Sequence, residues 1–187
     1  GEKRVTVNFE AEPRLAIAFH KPTLPHKDDY VFDLLDQVLG QGRTSRLYRA
    51  LVEEQQLATS VSVYGAPGSR YPNLFVIEAV PRHPHTPAEV EAAIYRELEK
   101  LKTAPVTEVE LTKARNRLLT DQLRYLKGNS GLARLLTSYQ SLAGNWRYLT
   151  SYQDEIETLT AQDLMNAAQT YFMPQNRTVV YLEKESF

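Results

Sequence analysis

Residues 82–87 read Arg-His-Pro-His-Thr-Pro, and the His83–His85 pair is the nearest the sequence comes to a metal-ligand pattern. On a strand, side chains at i and i+2 share a face, so two imidazoles at that spacing could chelate a divalent ion. Pro84 separates them, the pair follows the end of an apolar stretch, and no carboxylate is read close by to complete a site. A solvated loop accounts for the same residues, and His83 and His85 stay as the metal alternative. His26 with Asp28 and Asp29 could also hold a divalent ion. The start of a helix explains those carboxylates with fewer assumptions, since acidic side chains favour the exposed N–H groups there.

A second chemical pattern is Gly40-Gln-Gly-Arg-Thr-Ser45. A phosphate-cradling loop would need G-x-x-x-x-G-K-[ST] directly after a strand, and a dinucleotide loop would need a third glycine. This stretch follows an apolar run with helical spacing and lacks both the lysine and the third glycine. It reads as a reversal: Gly40 closes one helix with a left-handed cap, Gly42 eases the turn, and Ser45 or Thr44 caps the next helix. Neither H-E-x-x-H nor H-x-x-E-H occurs, no serine stands in G-x-S-x-G, and there is no cysteine. Carboxylates are plentiful, but no pair stands out as an acid and base. The residues alone nominate no catalytic group and no metal ligand beyond the His83–His85 alternative.

The elements around these patterns follow from periodicity. Val5, Val7 and Phe9 alternate as in a strand, as do Leu15, Ile17 and Phe19. A polar loop leads to a helix starting near Asp28 or Asp29 and carrying Val31, Leu34, Leu35 and Val38. The next helix buries Leu47, Tyr48, Leu51 and Val52, with Arg43, Arg46 and Arg49 on its solvated side. "ATSVSVYG" and "NLFVIEAV" read as a hairpin around the loop "APGSRYP", with Thr59, Val61 and Val63 on one face. The second of these strands is apolar on both faces, which places it inside a sheet. "TPAE", "TEVE" and "TAQD" are helix starts, the first two being capping boxes. Ser130 caps a further helix, Trp146, Leu149 and Ile156 mark another, and "NRTVVYLEK" closes as a strand. Strands grouped apart from helices predict an α+β two-layer sandwich. Its sheet would be mixed and mostly antiparallel, with helices on one face.

With 187 residues the chain is sized for one domain, residues 1–187. A net charge of -1, with both signs interspersed, gives no basic stripe for nucleic acid. No apolar run reaches the ~20 residues of a membrane span. The start, "GEKRVTVNFE", does not read as a secretory leader.

Three stretches together carry a resemblance: "DDYVFDLLDQVLGQGRTSRLYRALVEEQQLATSVSVYG", "TPAEVEAAIYRELEKLKTAPVTEVELTKARNRLLTDQ" and "LTAQDLMNAAQTYFMPQNRTVVYLEK". From about Arg14 to Lys184 the chain resembles the C-terminal domain of the M16 metallopeptidases, the family of insulinase, pitrilysin and the mitochondrial processing peptidase. The resemblance implies a two-domain half that closes with a second half, in a homo- or heterodimer, around a peptide substrate. Zinc and its H-x-x-E-H motif would lie in an N-terminal domain absent from this chain, which itself brings no zinc ligand, general base or cofactor. In the inactive half of many members an arginine, and a tyrosine seven positions later, grip the substrate; Val52 and Thr59 stand at those places here. That implies a domain paired with the zinc-bearing one. Gly40, Gly42, Ser45, Arg46 and Tyr48 fit the family's turn and helix start as structural residues, with Arg46 anchored by an acidic partner and Tyr48 packed on the sheet. Two rivals remain: a scaffold subunit from a catalytically inactive relative, and an unrelated α+β binding domain. Members of this kind suggest a soluble protein of the bacterial periplasm or cytoplasm.

Overall fold

The computed structural model describes residues 1–68 and 71–184; Ser69 and Arg70, in the predicted loop, and residues 185–187 lie outside the described part. Five strands form one sheet: β1 (Lys3–Asn8), β2 (Arg14–Lys21), β3 (Ala58–Ala66), β4 (Asn73–Pro81) and β5 (Arg177–Glu183). Their spatial order is β1-β5-β2-β4-β3. β1 runs parallel to β5, and every other pairing is antiparallel. The sheet is therefore mixed and mostly antiparallel, and β4, apolar on both faces, sits between β2 and β3 as expected.

All helices pack on one face. α1 (Lys27–Leu39) lies over β3, while α3 (Pro87–Thr103) and α7 (Ala161–Tyr171) lie against β2. α4 (Glu108–Leu126) and α6 (Tyr148–Thr158) stand beyond α1, with α5 (Asn129–Ala143) outermost. Burial follows that order: α1 buries residues round most of its circumference, whereas α5 buries none fully. Leu15, Ile17 and Phe19 of β2 and Phe75 and Ile77 of β4 meet Phe32, Leu35 and Leu39 of α1. Phe32 contacts Phe75, Tyr171 and Phe172 with ring centroids 5.3, 5.2 and 6.2 Å away. Such tilted aromatic contacts add to the burial energy.

Three helix starts are made as read, with Thr86–Glu89, Thr107–Glu110 and Thr160–Asp163 as reciprocal capping boxes. Four details differ. The cap of α1 is His26, whose Nδ1 accepts from Asp28 N–H at 3.1 Å, and Asp29 turns inward to Lys21. A bulge at Thr59 breaks the register of β3, so Ala58 is buried and Thr59 is exposed. Ser130 lies within α5, with Gly128 at the cap, and Trp146 precedes α6.

The edge strand β1 is tied to the helices through Glu91. This buried carboxylate of α3 receives Arg4 Nη1 at 3.1 Å and Nη2 at 2.6 Å, and the Tyr181 hydroxyl of β5. Burial alone would push the Glu91 carboxyl up; the Arg4 and Tyr181 hydrogen bonds outweigh it and hold it below the ordinary range.

Candidate functional site

The turn from Gly40 to Ser45 joins α1 to α2 (Arg46–Tyr48), which continues as a π-helix over Arg49–Glu54. Gly40 is not left-handed; its φ is -120°. It is required instead by close approach, because a β-carbon there would fall 2.4 Å from Val63 Cβ and 3.1 Å from Val63 N. Gly42 carries the left-handed turn at φ 81°, and Arg117 Nη1 stands 2.8 Å from where its β-carbon would be. Ser45 occupies the cap position of α2, yet its hydroxyl makes no capping bond.

Arg46 does not lie on a solvated face. Its Nε and Nη2 donate to Glu110 Oε1 and Oε2 at 2.8 and 2.9 Å, a paired fork from α2 to the start of α4. Glu110 also closes the α4 capping box through Thr107. The Arg46 bonds are the chief cause that holds the Glu110 carboxyl down at about 2. Tyr48 is half-buried at the end of α2. Arg43 and Arg49 are exposed, as the sequence suggests. The two positions compared with the substrate-gripping pair are Val52, half-buried in the π-helix, and Thr59, whose Oγ1 donates to Val80 O at 3.3 Å. Neither supplies a cation or a phenol.

His83 is exposed and His85 half-buried in the loop between β4 and α3. A carboxylate does approach: Glu89 Oε1, one turn into α3, lies 3.6 Å from His85 Nδ1. Glu89 stands four residues beyond His85, and the helix brings this i+4 side chain back beside it. Among the described residues, no three His, Asp or Glu side chains converge as a metal would need.

A second electrostatic feature lies along α1. Burial, then the charge of Asp29, pushes the Asp33 carboxyl up to about 7, against the Tyr152 hydroxyl that donates to it at 2.8 Å. Burial likewise pushes Asp36 up to about 6. Both folded values exceed the ordinary 3.8, so the folded chain binds more protons than the unfolded chain between about pH 4 and 7. Stability therefore declines as pH rises through that window. Asp33→Asn keeps an acceptor for Tyr152 and removes the half-buried charge. It is expected to raise stability at pH 8 by about 1 kcal/mol, a Tm rise of about 3 °C, and to flatten the pH dependence. Thermal melts at pH 5 and pH 8 check this; a lower Tm for the variant at pH 8 would contradict it.

The face of the sheet away from the helices bears the other distinctive surface. The strand registers place Val5, Val7, Val180, Leu182, Ala16, Ala18 and Val76 on it together, beside Lys3, Thr178 and the Arg14–Glu78 ion pair at 3.5 Å. Val5 is 50% and Val7 45% exposed, and Phe9 beyond the strand is 63% exposed. The exposed apolar side chains lie at the β1 edge of this face, which makes that edge a candidate contact surface.

Comparison with known proteins places this architecture. A family profile described as the peptidase M16 inactive domain matches residues 1–118, more than half of the chain. A zinc protease of Helicobacter pylori, PqqE, is 29% identical over 170 residues; the match takes in 90% of this chain and 38% of that protein. The crystal structure of a protease from Helicobacter pylori superposes with a TM-score of 0.90 at 26% identity, over 98% of this chain and 44% of that one. An inactive peptidase domain from Bordetella parapertussis superposes with a TM-score of 0.83 at 24% identity, over 93% of each chain. The chain thus spans well under half the length of the curated relative it matches, and nearly the whole of a domain solved separately.

Proposed function

This chain belongs to the family of M16 peptidase inactive domains, and from that premise we propose that it is the non-catalytic second domain of a zinc-dependent endopeptidase. Residues 1–187 act as one domain and form part of the wall of a chamber in which peptides are degraded or processed. Zinc and its general base reside in an N-terminal domain that packs beside this one, and a second half completes the enclosure. The observation that carries the reading is the helix-free apolar sheet face centred on Val5, Val7, Val180 and Leu182. Two things support it: no metal-ligand set converges among the described residues, and Val52 and Thr59 offer no grip on a substrate.

The experiment is kinetic and uses the full-length parent. Val7→Asp places a charge on the apolar wall, at a strand edge that tolerates it. It is expected to lower kcat/KM for peptide cleavage about 10-fold, equivalent to about 1.4 kcal/mol, without changing zinc content. Unchanged kcat/KM would remove this face from substrate handling. The second reading is a scaffold subunit of an inactive relative, which the zinc motif of the preceding domain decides. A parent without H-x-x-E-H in its preceding domain, and without turnover, would establish that reading instead.

A further inference from the structure

We propose that the cleft between the Gly40–Ser45 turn and α4 is a binding site for a small oxyanion, a phosphate or a carboxylate. The proposal is independent of the chamber reading, since the cleft lies among the helices and not on the open sheet face. The cleft has a volume of about 200 Å³ and is walled by Gln37 and Val38 of α1, by Thr44 and Ser45, and by Lys113 and Arg117 of α4. At about 30 Å³ per water, that is room for a tetrahedral oxyanion with part of its hydration shell.

Two wall groups lack partners among the described residues. Ser45 is 3% exposed, and its Oγ bonds to nothing; the Gln37 Oε1 is likewise buried and unpaired. A buried hydroxyl without a protein partner is costly, and an acceptor lodged in the cleft would relieve that cost. The Gln37 carboxamide presents an N–H to the same space after a half-turn about its last bond. The charges agree in sign. Arg49, Lys113 and Arg117 line the cleft, and its one carboxylate, Glu110, is already occupied by the Arg46 fork and the Thr107 cap. Lys113 spends one donor on Thr44 Oγ1, and Arg117 Nη1 donates to Gln41 O at 2.8 Å. Both cations are thereby fixed at the rim with donors to spare. A serine donor beside Arg49, Lys113 and Arg117 suits an oxyanion better than an amine or a metal cation.

The test follows backbone amide resonances of the chain during titration with sodium phosphate at constant ionic strength, with sodium chloride as control. Two further arms use a short acetylated peptide with a free C-terminal carboxylate and its C-terminal amide. The expected result is saturable shifts confined to residues 41–46 and 113–117, with a Kd of about 1 mM, and a Kd at least 10-fold weaker in Lys113→Ala. Ser45→Ala is expected to weaken binding about threefold while the fold is kept and the Tm is no lower, since it deletes only an unpaired buried hydroxyl. Tighter binding of phosphate identifies a phosphate site; tighter binding of the free-acid peptide, with the amide silent, identifies a peptide terminus. Shifts that never saturate, that scatter over the surface, or that keep the same Kd in both Lys113→Ala and Ser45→Ala would overturn the site.

Discussion

Gly40→Ala will destabilise the domain by about 3 kcal/mol, although alanine is the most conservative replacement for a glycine. The backbone at Gly40 has φ -120°, which any residue adopts, so no strain arises there. The cost is steric. The new methyl would sit 2.4 Å from Val63 Cβ, 2.5 Å from Val63 Cγ2 and 3.1 Å from Val63 N. Val63 is 3% exposed and is held in β3 opposite Ile77 of β4, so neither side chain nor backbone can move off without opening the sheet. Gly128→Ala is the control. Its φ is -117°, and nothing lies within 4 Å of its would-be β-carbon, so only the weaker helix capping of alanine remains, about 1 kcal/mol or less. Urea denaturation of the two variants checks the contrast. Equal stabilities would mean that α1 does not end against β3 as described.

Arg46→Ala will lower stability at pH 7 by about 2 kcal/mol, the loss expected when a paired, charge-assisted fork is removed from a half-exposed carboxylate. Arg46 and Glu110 side chains are 15% and 31% exposed, so solvent screens the pair and the full pKa displacement of Glu110 overstates its worth. The pH dependence identifies the mechanism. Glu110 is held at about 2, below its ordinary 4.5, chiefly by Arg46. The stabilisation is thus complete above about pH 4.5 and is lost as pH falls toward 2. The gap between wild type and variant should therefore narrow between pH 7 and pH 3. Arg46→Lys should recover little, because an ammonium cannot reproduce the two parallel bonds. A gap that stays constant with pH would show that Arg46 acts by packing its aliphatic stem alone.

These two residues also show where sequence reading succeeds and where it stops. The order of elements was legible because apolar periodicity switches from two to nearly four at each boundary. Three helix starts announced themselves because Thr-x-x-Glu/Asp is a local device that needs no tertiary contact. Gly40 was legible as a turn residue but for a different reason: the handedness inferred from its place after a helix is absent, and the need for it comes from Val63, a residue of a strand that pairs elsewhere. Arg46 looks like a surface arginine on a helical wheel, and only the arrival of Glu110, 64 residues later, makes it an anchor. The His85–Glu89 approach was within reach, since i and i+4 meet once the capping box has fixed the start of α3. The cleft beside Ser45 was not, because its walls come from α1, the turn and α4, and no local pattern predicts an unpaired hydroxyl.

The open face of the sheet was only half legible. Alternation of Val5, Val7 and Phe9 identifies a strand with one apolar side, but such a side normally faces the core. The parallel pairing of β1 with β5 turns it outward, alongside Val180 and Leu182, and that topology is not written in β1 itself. The proposed function gives this face a use, as a wall beside a metal-bearing partner.

That use makes the metal the decisive quantity. The chain, purified and desalted after exposure to zinc, should be analysed by atomic emission and assayed with a quenched fluorescent peptide beside its full-length parent. The account predicts far less than one zinc per chain and no cleavage for the chain, with zinc and cleavage both present in the parent. One tightly held zinc per isolated chain, accompanied by peptide cleavage, would contradict it.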